Sequence, residues 1–431
     1  VSTCGQASLT DFRTAVLEGV APDGGLYLPE PLTPLDRDAV EQLRGDGTEA
    51  IARTLGPCLF GRALGDDALS AMAVQVHSFP IPLIRVDERC YVLELFHGPT
   101  LAFKDVGARW MAALLRRLRA PDSEPLTVLT ATSGDTGGAV AQAFHGERGV
   151  RVIVLFPAGR VSTVQERQFS TLGGNVLAVA VDGSFDDCQQ LAQEAFADAA
   201  LVQHRLTSAN SINIGRLLPQ AFYYASGWAQ LPADTQRLLV ATPSGNFGNL
   251  TAGLIAKRLG VPIDRFVAAT NVNDVVPEYL RTGTFAPRLS VRTIANAMDV
   301  GKPSNFARML ALYDGDHTAM SRDVVGSAHT DEEIRACVAT VYERYHRVID
   351  PHTAVGWLGL ETALADDPEA TGIVLATAHP AKFADVVEPV IGTPVDVPDR
   401  LAACLAHEPV VERIPPTLPA LVELLERSPG R

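Results

Sequence analysis

Short apolar runs recur along the middle of the chain, at 126–131, 150–156, 176–181, 237–242, 265–270 and 372–377. Most give way to a polar loop and then to helical spacing, at 137–146, 186–200, 248–259 and 381–391. A chain that repeats strand, loop and helix covers its strands by laying helices over a mainly parallel sheet, so the fold class is α/β. Ligands of such sheets collect at the carboxyl ends of the strands. Polar loops fall at those ends, at 132–138, 243–249 and 377–382, and their agreement in position points to one shared site.

Pro243-Ser-Gly-Asn-Phe-Gly-Asn249 lies between an apolar run and a helical stretch. Its glycines let the backbone turn tightly, and the following helix start aims N–H groups at an anion. It reads as a phosphate cradle, although a plain strand-to-helix turn has the same outline. It matches neither GxxxxGK[ST] nor GxGxxG, which excludes the nucleotide motifs. Ala131-Thr-Ser-Gly-Asp-Thr-Gly-Gly138 carries more hydroxyls than a turn requires, and can bind a carboxylate or a second phosphate. In Ala376-Thr-Ala-His-Pro-Ala-Lys382, Thr377 can offer a hydroxyl to a ring nitrogen and Lys382 a charge to an anion. Ser208-Ala-Asn-Ser-Ile-Asn213 with Arg216, and Arg160 after the run at 150–156, are further polar candidates.

Lys104, in His97-Gly-Pro-Thr-Leu-Ala-Phe-Lys-Asp105, opens an expected helix over 100–119 with an apolar stripe through Leu101, Val106, Trp110, Met111, Leu114, Leu115 and Leu118. A lone lysine is usually solvated. At a buried helix start, lost water and the helix dipole both disfavour the ammonium, and a neutral amine is the nucleophile that an aldehyde needs.

With 431 residues, 47% of them hydrophobic, the chain has material for two or three domains. We divide it into an N-terminal subdomain (1–88), an α/β core of two lobes (89–395) and a C-terminal helical tail (396–431). A formal charge of −14 without a basic stripe argues against a nucleic-acid partner. The scattered cysteines show no metal spacing, so no metal is expected and the thiols are read as reduced. Neither a signal-like opening nor an apolar run of membrane-spanning length is found. The expectation is a cytoplasmic protein with no membrane partner. Numbering opens at Val1, so an initiator methionine, or more, is expected to precede it.

Taken in order, Leu26-Tyr-Leu-Pro-Glu30, Glu94–Asp105, Ala131–Gly137, Gln165-Glu-Arg167, Thr171–Asn175, Ser208–Asn213, Pro243–Asn249 and Thr377–Phe383 resemble the motifs of the threonine synthases, in their longer, enterobacterial and fungal type. The resemblance spans nearly the whole chain. It implies pyridoxal 5′-phosphate as cofactor and fold type II architecture like tryptophan synthase β, with two mainly parallel sheet domains. It implies Lys104 as the Schiff-base lysine, Gly245, Asn246, Phe247, Gly248 and Asn249 at the cofactor phosphate, Ser133 at its 3′-oxygen and Thr377 at its ring nitrogen. Asp135, Thr136, Arg160, Asn210, Asn213 and Lys382 are the implied substrate contacts. The implied reaction takes the small molecule O-phospho-L-homoserine and water to L-threonine and phosphate by γ-elimination and β-addition, in a monomer.

Two alternatives stay open on these residues. A paralogue would act on a related phospho- or phosphono-amino acid, or would eliminate phosphate and release 2-oxobutyrate, because fold and cofactor do not fix the substrate. A non-catalytic cofactor- or amino-acid-binding regulator would differ by giving no product. Against the latter, Lys104 and every polar loop are intact.

Overall fold

The computed structural model describes residues 1–120 and 123–427. Its strands are β1 (Leu83–Arg85), β2 (Cys90–Glu94), β3 (Leu126–Ala131), β4 (Val150–Pro157), β5 (Val176–Val181), β6 (Leu206–Ser208), β7 (Leu238–Pro243), β8 (Arg265–Thr270), β9 (Val324–Ala328), β10 (Thr371–Ala376) and β11 (Val411–Ile414). They form a 6-stranded sheet in the order β1-β2-β10-β7-β8-β9 and a 5-stranded sheet in the order β11-β5-β4-β3-β6. Every neighbouring pair is parallel except β1 with β2. The chain is thus an α/β protein with two mainly parallel sheets.

Every residue of β3 and of β7 is buried, since helices cover both faces. That is why these strands read as continuous apolar runs and not as alternating ones. Parallel pairing also puts the carboxyl ends of β7 and β10 side by side in one sheet, and those of β3 and β6 in the other.

The expected helix over 100–119 starts later, at Lys104, and runs to Leu118. Leu101 has φ 60°, a left-handed conformation that a helix of L-residues excludes. Ala102 makes an isolated bridge to Ala378, and Phe103 N donates to Thr377 O at 2.9 Å. These contacts bind the approach to Lys104 to the end of β10. The helical tail expected over 396–431 is also corrected. Two helices flank β11, which pairs with β5 and completes the smaller sheet. Residues 428–431 of that segment lie outside the described residues.

Near the N-terminus the helices Phe12–Glu18 and Asp66–Val76 cover the helix that Lys104 opens, and Thr48–Phe60 reaches it through Phe60. The rings of Phe60 and Trp110 lie 5.7 Å apart and those of Trp110 and Phe222 5.3 Å apart. Trp110 Nε1 donates to His77 Nε2 at 2.9 Å. Burial first, and then Arg109, push the His77 pKa down to about 3, which keeps that ring a neutral acceptor. The lysine helix therefore sits on a packed floor.

Candidate active site

Loops from both sheets meet around one cavity of ≈ 110 Å³. Its wall takes Thr132, Ser133, Asp135 and Thr136 after β3, Asn210 and Ser211 after β6, the run Pro243–Asn249 at the end of β7, and Thr377 after β10. Lys104 lines it from the first position of its helix. Loss of water is the main reason that the Lys104 pKa drops to about 8. Asp135 opposes that drop, while Arg216 and Lys382 add to it.

The 243–249 loop is shaped to bring backbone close to a ligand. A Cβ on Gly245 would lie 2.7 Å from Ala297 O and 2.8 Å from Met298 Cα, and one on Gly248 would lie 2.8 Å from Ser211 Cβ. Phe247 caps the helix Gly248–Arg258 with φ 58°. The Asn246 side chain is tied to the neighbouring segment, its Oδ1 accepting from Ser304 N at 2.6 Å. Asn249 is held from the other side. Its Oδ1 meets the hydroxyls of Tyr223 and Tyr224 at 2.6 and 2.7 Å, while its buried Nδ2 has no partner among the described residues. A buried amide donor left without an acceptor is costly, and a phosphate oxygen supplies one. By this measure the cradle fits a phosphorylated cofactor.

Arg216 is a wall residue that its position in the sequence only hinted at. It is 3% exposed, lines the cavity, and its Nη1 donates to the Ala209 carbonyl. Burial pulls its pKa down to about 10, with Asp105 pulling the other way, so it is still charged at neutral pH. The signal was a lone charge in the apolar run Ile214-Gly-Arg-Leu-Leu218. His352 also lines the cavity. Its Nδ1 lies 2.6 Å from Asp350 Oδ2 and its Nε2 accepts from Ala297 N at 3.2 Å, so it props the 297–300 wall. Behind the wall, Arg308 is fully buried and donates to Tyr27 O, Ser211 O, Ile212 O and Asn305 Oδ1.

Among the sequence candidates, Lys104, Ser133, Asp135, Thr136, Asn210, Gly245, Asn246, Phe247, Gly248, Asn249 and Thr377 all line the cavity. Arg160, Asn213 and Lys382 do not. Arg160 is exposed on the turn after β4, beside Asp187. Asn213 is an N-cap, its Oδ1 accepting from Gly215 N and its Nδ2 donating to Val16 O and Ser208 O. Lys382 is buried behind Asp135. Asn210 reaches the wall, but its amide is held by Thr130 Oγ1 and Ala131 O, both at 2.8 Å. Among the described residues there is no cluster of three His, Cys, Asp or Glu able to hold a metal ion. Nor is any helix among them long and apolar enough to cross a membrane.

Two mainly parallel sheets meeting at a buried lysine and a glycine-containing loop have the layout of a pyridoxal-phosphate-dependent enzyme of fold type II. The pyridoxal-phosphate dependent enzyme family matches residues 75–377, the threonine synthase N terminus residues 1–75 and the threonine synthase C-terminal family residues 353–424. A threonine synthase of Haemophilus influenzae is 45% identical over 395 residues, covering 90% of each chain. The crystal structure of threonine synthase from Escherichia coli superposes with a TM-score of 0.94 at 39% identity, over 99% of each chain. The threonine synthase of Brucella melitensis, solved with pyridoxal phosphate bound, gives 0.91 at 33% identity, over 100% of this chain and 99% of the other. The chain belongs to the threonine synthase family.

Proposed function

We infer that this chain converts O-phospho-L-homoserine and water to L-threonine and inorganic phosphate. One observation carries the reading. A lysine amine with its pKa lowered to about 8 shares its cavity with two separate groups able to hold anions, the 244–249 loop and Arg216. A reaction with a phosphorylated cofactor and a phosphorylated substrate needs both.

In this reading Lys104 holds the cofactor through its amine. Backbone N–H groups of 245–249 and Asn249 Nδ2 hold its phosphate, Ser133 its 3′-oxygen and Thr377 its ring nitrogen. Pyridoxal phosphate, when bound, supplies the electron sink that stabilises a substrate carbanion. The Lys104 amine, easier to deprotonate than an ordinary lysine, takes a proton at the substrate α-carbon and returns one there. Arg216 balances the substrate phosphate from a buried position, where a charge-assisted hydrogen bond is strong. Ser133 and Thr136 supply hydroxyls on the same wall, and Asn210 fixes the end of β3. Thr377 is a neutral ring-nitrogen partner, which holds no proton there as a carboxylate would. That limits the electron sink and leaves the course of the reaction to the hydrogen bonds around the substrate.

We further propose that the protein acts in the cytoplasm as a monomer on this small molecule. Its charge of −14 disfavours nucleic acid. Sedimentation of the purified chain tests the oligomeric state. Incubation with pyridoxal phosphate and O-phospho-L-homoserine tests the reaction. Phosphate with equimolar threonine is the expected result. Phosphate with 2-oxobutyrate would identify the eliminating paralogue, and no phosphate would remove the substrate assignment.

A further inference from the structure

A carboxylate lines a cavity that has to accept anions. Asp135 stands at the first position of the helix Asp135–Phe144, 4% exposed, on the same wall as Lys104. Behind it, on the turn Pro380–Phe383 that follows β10, Lys382 is 1% exposed. Lys382 Nζ lies 2.7 Å from Asp135 Oδ1 and donates to Thr100 O at 2.9 Å. Amides complete the cluster: Gln165 Nε2 donates to Asp135 Oδ1 at 2.8 Å and Gln168 Nε2 to Thr100 O at 2.9 Å. Thr100 in turn donates through Oγ1 and N to the buried Asp105, at 2.6 and 2.9 Å.

Removing a lysine this completely from water is expensive, and pairing it with a carboxylate offsets the expense only when the geometry is good. The pairing has a consequence one residue further on. Lys104 feels Asp135 from one helix, Arg216 from the segment Ile214–Leu217 and Lys382 from the 380–383 turn, and His352 lines the same cavity. Of these only Asp135 draws a proton onto the Lys104 amine. Burial alone would push the Asp135 carboxyl up, yet Lys382 and then Lys104 hold it well below the usual carboxylate range. It is therefore a full negative charge beside the reactive amine.

We propose that Lys382 is a positioning residue that acts through Asp135: it occupies the carboxylate and so keeps Asp135 from pairing with Lys104, leaving the Lys104 amine unpaired and easier to deprotonate. The idea rests on Lys104 being the cofactor lysine. It accounts for a cation that touches neither the cavity nor, in the reading above, substrate or cofactor.

The test uses the full-length chain freed of cofactor. Acetylation of Lys104 by acetic anhydride is followed by peptide mass spectrometry across a pH series, which reports the midpoint at which that one amine loses its proton. Lys382→Met should raise the midpoint by roughly one unit or more, because an unpaired carboxylate now faces the amine. Asp135→Asn should lower it, since Lys382 is left uncompensated. The double variant should return close to the unsubstituted chain. Should Lys382→Met fail to fold, Asp135→Asn and the charge-neutral double variant still decide. A purely structural pair would lower the melting temperature and leave the midpoints where they were. That outcome, or a midpoint that falls in Lys382→Met, overturns the proposal. Addition of pyridoxal phosphate to the same samples is read separately by its visible band. Shifted midpoints in a chain that never takes up cofactor would refute the functional reading and leave the charge relay standing.

Discussion

Asn249→Asp changes one group in the phosphate cradle and almost nothing else. The replacement has the same shape and keeps an oxygen for Tyr223 and Tyr224, which hold Oδ1 at 2.6 and 2.7 Å. What it exchanges is Nδ2, the buried donor without a protein partner, for an oxygen that carries charge. Losing a hydrogen bond to a charged group costs about 1.5–3 kcal/mol, and that converts to a roughly 10- to 150-fold weaker cofactor. Repulsion between carboxylate and phosphate adds to this, so about tenfold is the lower bound. Titration of the full chain with pyridoxal phosphate and, in parallel, with pyridoxal isolates the effect. Affinity for pyridoxal phosphate should fall by about tenfold or more, while affinity for pyridoxal, which has no phosphate to repel, should barely change. Far-ultraviolet dichroism should be that of the unsubstituted chain. Equal losses for the two compounds would mean that Asn249 acts on the fold, and no loss would mean that Nδ2 does not face the phosphate.

Gly245→Ala should weaken cofactor binding and lower the melting temperature together. Its Cβ meets two backbone atoms within 3 Å, and forcing a packed wall apart costs about 1–3 kcal/mol; unchanged values for both would show that the wall yields freely. Lys104→Ala should fold, lack the visible band of lysine-bound cofactor and lose several orders of magnitude in turnover, as nucleophile and proton carrier disappear together. In the unsubstituted chain the rate of cofactor uptake should climb with pH and be half-maximal near pH 8, because only the neutral amine reacts and protonation removes it below that value. A rate that is flat from pH 6 to 9 would contradict the lowered pKa. Arg216→Met should raise the KM for O-phospho-L-homoserine by roughly 10- to 100-fold with the visible band intact. Arg160→Ala, on the exposed turn after β4, should leave steady-state kinetics unaltered.

The buried strands were readable because helices cover both their faces, which writes them as unbroken apolar runs such as Leu126–Ala131. The strands that escaped notice lack that mark. Residues Val411-Glu-Arg-Ile414 are exposed at three of four positions on a sheet edge, and Leu206–Ser208 is a three-residue strand. Glycine loops and Lys104 stood out because their residue types exceed what a turn needs. Arg160, Asn213 and Lys382 were drawn into the site by proximity in sequence to polar strings, but tertiary packing decides which way such side chains face. For Asn213 the local backbone won, since an asparagine before a helix caps it. For Lys382 the partner was a carboxylate distant in sequence, on the helix that follows β3. Arg216 went the other way, for its value lies in a cavity that only the folded chain assembles.

The 243–249 loop leaves β7, Thr377 leaves β10, and the Ala102–Ala378 bridge sews the approach to Lys104 onto β10 as well. These groups all hang from the larger sheet. Ser133–Thr136 and Asn210–Ser211 hang from β3 and β6 of the smaller one. The cavity is therefore walled by both sheets, and its width is set by how the two sheets are held together.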